Sequence, residues 1–249
     1  MFNNKKFWIA GALSLALSGT ALAATMEEVT AAIKEERYER AARLLTEIAD
    51  TGDADAQFLL ALMFENGRGV TQNYREAFRW YKKAADQGLP AAQNNLAQLY
   101  GQGKGVKQDL REAFRLYRRA AEAGHAIAQY NLGVRYMQGE GVEKNLQEGV
   151  QWYRKAAEVG NLHAQFSLAY SYAAGEGVEK SMPDALAWAK AASTKQFVRA
   201  QQFAGYLMSQ MNEEELAAGE KLFQELKTRM NLPEPPPPAG PIGSEPPVE

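Results

Sequence analysis

Two histidines, four Gly-x-Gly loops and a row of acidic residues are the features of this 249-residue sequence whose types and spacing could do chemistry. His125 and His163 could hold a metal, but the chain has no cysteine and no carboxylate recurs as their partner, so no metal site is expected. The Gly-x-Gly-Val segments beginning at Gly67, Gly103, Gly139 and Gly175 could cradle a phosphate. No strand precedes them and the third glycine of a dinucleotide fingerprint is absent, so a repeated turn explains four copies in register better. Glu76, Glu112, Glu148 and Asp184 could serve as general acids, yet each follows Asn73, Asp109, Asn145 or Ser181 by three positions. That is the spacing of a capping box at a helix start. No Ser-His-Asp arrangement is present, so catalytic residues, cofactors and enzymatic turnover are not expected.

The same residues mark a repeat. Ala56-Gln57 recurs at Ala92-Gln93, Ala128-Gln129, Ala164-Gln165 and Ala200-Gln201, each 36 residues after the last. A fixed period of this size is the signature of a solenoid, in which each unit buries its apolar face against its neighbours. Each unit reads as two helices. On the first, Ala128, Leu132, Gly133 and Tyr136 and their equivalents share one face, with a small residue at Ala61, Ala97, Gly133 and Ala169 allowing close approach. On the second, Tyr74, Ala77, Phe78, Tyr81, Ala84 and Ala85 form the buried stripe. The first loop glycine suits a left-handed helix end and the second suits chain reversal. In the fourth copy Ala189 replaces the tyrosine and Gln196 the terminal glycine, so looser packing is expected there.

The fold class is therefore all-α, an α-solenoid of helix-turn-helix repeats. Residues 1–23 read as a signal peptide: a basic start, an apolar run from Phe7 to Ser18, and Ala21-Leu22-Ala23 before the cleavage point. The run is shorter than the roughly 20 apolar residues that span a bilayer, so no membrane insertion is expected after cleavage. Residues 24–55 form a degenerate N-terminal capping pair, 56–197 the four repeats and 198–231 a C-terminal capping pair. Residues 232–249 hold eight of the ten prolines and read as a disordered tail. An exported protein is expected, periplasmic if the source is Gram-negative. The 28 basic and 30 acidic residues nearly balance, which does not point to nucleic acid.

The motifs Ala-x-x-x-Leu-Gly-x-x-Tyr, Gly-x-Gly-Val and Trp-Tyr-x-Lys-Ala-Ala, found between Ala56 and about Lys195, resemble the Sel-one-like repeat family of tetratricopeptide-type helical repeats. The resemblance implies a right-handed superhelix whose first helices line a concave surface that binds proteins or peptides. Exported, cysteine-rich members have been linked to penicillin binding, and this chain lacks those cysteines. On a concave surface of that kind two columns of first-helix residues are expected to form an aromatic and amide-lined groove. One contains Phe58, Asn94, Tyr130, Phe166 and Gln202; the other, one turn on, contains Leu62, Gln98, Val134, Tyr170 and Tyr206. The competing reading has these side chains filling space between repeats. The resulting expectation is a non-enzymatic scaffold or adaptor that binds a protein or peptide and assembles or regulates an envelope process. The alternative is a peptidoglycan- or sugar-binding envelope factor or hydrolase. Oligomeric state and any role of the tail are left open.

Overall fold

The computed structural model describes residues 24–195 and 197–235. Residues 1–23, where a signal peptide is expected, and residues 236–249 of the proline-rich segment lie outside the described residues. Among the described residues there are twelve helices and no strands: α1 (Met26–Lys34), α2 (Tyr38–Asp50), α3 (Ala54–Asn66), α4 (Tyr74–Asp86), α5 (Pro90–Gln102), α6 (Leu110–Glu122), α7 (Ala126–Gln138), α8 (Leu146–Glu158), α9 (Leu162–Ala174), α10 (Met182–Ser193), α11 (Val198–Gln210) and α12 (Glu213–Met230). From α1 to α11 each helix packs on the next, so that the pairs α3/α4, α5/α6, α7/α8 and α9/α10 stack in order with α1/α2 before them. The chain is an α-solenoid.

Side-chain caps start most of the helices. Asn73 Oδ1 accepts from the amides of Arg75 and Glu76 at 3.0 and 3.2 Å, and Asp109 caps α6 in the same way. The expected capping boxes are only half formed in the repeats. Glu76 and Glu112 turn instead to Arg79 and Arg115, each 2.7 Å away, because a guanidinium makes a stronger bond with a carboxylate than a backbone amide does. Reciprocal boxes occur at α1, between Thr25 and Glu28, and at α12, between Asn212 and Glu215.

Two devices bind one repeat to the next, and a third joins the two helices within a repeat. First, the loop glycines divide their labour. Gly67, Gly103, Gly139 and Gly175 adopt left-handed C-cap conformations, as the spacing predicts. The second glycine does more than reverse the chain: a Cβ on Gly105 would lie 2.2 Å from the Tyr74 carbonyl oxygen, at the start of α4 in the preceding repeat. Gly69, Gly141 and Gly177 meet Tyr38, Leu110 and Leu146 in the same manner. Second, the glutamine of each Ala-Gln pair is buried. Gln57, Gln93, Gln129 and Gln165 donate through Nε2 to the carbonyls of Ala49, Ala85, Ala121 and Ala157, at 3.1 to 3.3 Å, closing the end of the previous repeat's second helix. Each such bond is worth about 1 kcal/mol. Third, alanines at 0–1% exposure on facing helices, such as Ala61, Ala77, Ala97 and Ala113, let the backbones approach closely.

The C-terminal end departs from expectation. Packing around α10 is tight, because α12 lies against α10 rather than pairing with α11. Helix α10 is thus covered on two sides, which accounts for its nearly unbroken apolar run from Ala185 to Ala189. Gly219 brings the α12 backbone onto Leu186, and Glu220 pairs with Lys190 at the edge of the contact.

Candidate binding groove

The two predicted columns do not form one uniform surface. Toward the N-terminus they are largely closed. Phe58 is half-buried against the Tyr81 ring, 5.8 Å between centroids. Leu62 lines a separate apolar hollow of about 210 Å³ with Ile33, Tyr38 and Leu59. Asn94 is 5% exposed and corrects the expectation of an open amide: it donates to Asn95 Oδ1 and accepts from Asn131 Nδ2, both at 3.0 Å, tying α5 to α7. Gln98 and Gln202 are exposed, and Val134 is half-buried.

Toward the C-terminus the columns merge into a continuous aromatic ladder. Tyr130 stacks on Tyr153 at 5.7 Å and meets His163 at 5.8 Å; His163 meets Phe197 at 5.4 Å. Phe197 meets Phe166 at 5.6 Å, and Phe166 meets Phe203 at 5.7 Å. Phe203 then contacts both Tyr170 and Tyr206, which are 52% and 58% exposed. The inner rings are supported by one another, and the outer two offer their faces to solvent. Burial pushes the Tyr153 hydroxyl well above the usual phenol range, so the base of the ladder stays neutral.

His163, Phe197 and Phe203 are the members missed by the sequence columns. Their signal lies in the repeat comparison. Phe203 occupies the register of Asn95, Asn131 and Ser167, and Phe197 that of Asp53, Leu89, His125 and Asn161. The latter is the helix N-cap position, where a phenylalanine offers no acceptor, and α11 has no side-chain cap. A local rule is broken and the ladder gains a ring.

The other histidine is structural. His125 Nδ1 accepts from the Ala128 amide at 3.2 Å and caps α7, and burial lowers its pKa from 6.5. A depressed histidine pKa means that the unfolded chain takes up the proton first. The contribution is therefore complete above the unfolded value and is lost as pH falls through the folded one. Melting temperature should drop between about pH 7 and pH 5 by an increment that His125→Asn removes, since Asn161 caps α9 at the equivalent position. Thermal melts of the two chains across that range check this.

No cluster able to hold a metal occurs among the described residues, and no described helix is long and apolar enough to cross a membrane.

Comparison with known proteins agrees with this architecture. None of the curated proteins matches the chain. Among solved structures it resembles c5321, a protective antigen present in uropathogenic Escherichia coli strains, with a TM-score of 0.72 and 32% identity over 76% of this chain. The match spans 41% of that antigen, well under half its length. A Sel1 repeat protein from Oxalobacter formigenes matches with a TM-score of 0.69 and 31% identity over 80% of this chain and 81% of that one. Proteins of this kind are generally protein-interaction scaffolds. The Sel1 repeat model matches four times in succession, at residues 54–89, 90–125, 126–161 and 162–196. With its four matched units and its stacked helix pairs, the chain belongs to the Sel1 repeat family.

Proposed function

We propose that this protein is an exported, non-enzymatic scaffold that binds a protein or peptide on the aromatic ladder of α7, α9 and α11 and so assembles or regulates an envelope process. The observation that carries this is the pair Tyr170 and Tyr206, more than half exposed on rings that are themselves packed. Tyrosines held this way supply large contact area at little entropic cost, which is why they recur as interface anchors. The leader-like first 23 residues support export.

A second reading rests on the same two residues. Exposed tyrosine faces also stack on sugar rings, so a peptidoglycan fragment is the other ligand class that the groove suits.

Photocrosslinking from the groove separates these readings. A benzoylphenylalanine at position 206, in the chain expressed in intact cells, should yield a protein-sized adduct. The same probe at Arg79, exposed on α4, should not. An adduct of glycan mass would favour the second reading, and absence of any adduct specific to position 206 would contradict both.

A further inference from the structure

The groove contains a hollow of about 300 Å³ lined by Met137, Tyr153, Phe166, Ser167, Tyr170, Ser171 and Glu176. We infer that this hollow receives a basic side chain, arginine or lysine, of the bound protein or peptide, an inference that rests on the scaffold reading above.

The seating of Met137 and Tyr153 is peculiar to the third repeat, and the rest of the lining comes from the fourth. At the two positions where neighbouring units place alanine, Ala97 and Ala169 on first helices and Ala113 and Ala185 on second helices, this repeat has Gly133 and Gly149. A Cβ on Gly133 would lie 2.6 Å from the Tyr153 ring, and one on Gly149 would lie 2.6 Å from the Met137 sulfur. The ring and the thioether occupy the space that alanines would fill. A glycine within a helix costs about 1 kcal/mol relative to alanine, so sinking these two groups has a stability cost that the sister repeats avoid.

The charge of the lining points to a cation. Position x of the Gly-x-Gly loop is Arg68 and Lys104 in the first two repeats, but Glu140 and Glu176 in the next two. Arg68 and Lys104 each sit over a tyrosine ring of the preceding unit, Tyr38 and Tyr74, at 4.4 and 5.2 Å. Glu140 is paired with Arg135. One repeat on, the position of Arg135 is held by Ser171, and among the described residues Glu176 makes no ion pair. Arg135 and Glu176 both influence the Tyr153 hydroxyl, but Arg135 is already engaged by Glu140. The hollow therefore presents π faces and a thioether for an alkyl stem, with one uncompensated carboxylate for the head group.

The test uses N-acetyl-arginine amide, N-acetyl-lysine amide and N-acetyl-norleucine amide as probes, titrated at low salt into the chain from Ala24 to Glu249 carrying labelled methionine methyls. The arginine and lysine probes should shift the Met137 methyl and the norleucine probe should bind about fivefold more weakly. Glu176→Gln should weaken the basic probes by a similar factor with an unchanged melt, and Gly133→Ala should close the hollow by displacing Tyr153. Equal binding of norleucine, or no shift at Met137 with any probe, would overturn the inference. In either of those cases, a crosslink from benzoylphenylalanine at position 206 leaves the groove reading standing; absence of that crosslink in the chain otherwise unchanged is what defeats the groove itself.

Discussion

Gly105→Ala is expected to destabilise the array by about 3 kcal/mol or more, a large effect for a single added methyl group. Two terms combine. The residue has φ +71, a left-handed conformation that costs an L side chain roughly 1–2 kcal/mol. Its Cβ would also lie 2.2 Å from the Tyr74 carbonyl oxygen and 2.8 Å from the Arg75 amide nitrogen. Both are backbone atoms of the first turn of α4, so no rotamer change relieves the overlap and the two repeats must separate. The control is Gly88→Ala, where φ is +92 but no atom lies within 4 Å of the added Cβ. That change should cost only the conformational term, about 1 kcal/mol. Urea unfolding of the two variants measures the difference. Because a repeat array can lose cooperativity, hydrogen exchange should show protection falling first in α3 to α6, on either side of the opened junction. Equal losses in both variants would mean that the loop does not join the repeats.

The repeat is what made most of the fold legible. Five in-register Ala-Gln pairs and four loops average out the noise of any single segment, so the helix pairs and the left-handed first glycines could be placed from spacing. What escaped was contact between units. Gln57 and its equivalents resemble surface amides by type, and only their recurrence hinted at a buried bond to the preceding helix end. The second loop glycine satisfied a local turn argument, which concealed its approach to a neighbouring backbone. Helix α12 carries ample charge and an apolar stripe, but nothing in that pattern distinguishes docking on α10 from docking on α11.

The groove was legible in outline and uneven in detail. Asn94 and Tyr130 share a column and hence a backbone direction, yet a short amide meeting Asn131 is buried while a phenol stacked on Tyr153 stays half-buried. Column membership sets direction; side-chain length and the neighbour's identity set exposure. For the same reason Tyr130 and Phe166 are poor probes of binding, since truncating either also removes ring contacts that hold α7, α9 and α11 together. Tyr170 and Tyr206 are the clean positions.

Tyr170→Ala/Tyr206→Ala is accordingly the second large effect and the most direct test of the groove. Each ring presents more than half its surface to solvent. Removing both should change folding stability by no more than about 0.5 kcal/mol per site. If they anchor a partner, each is worth about 2 kcal/mol of binding, and the pair should weaken affinity by a hundredfold or more. The measurement is the affinity of the protein crosslinked from position 206, made on wild type and double variant alongside their thermal melts. The account predicts binding lost with the melt unchanged. Affinity retained in a folded double variant would place the interaction elsewhere on the solenoid and contradict it.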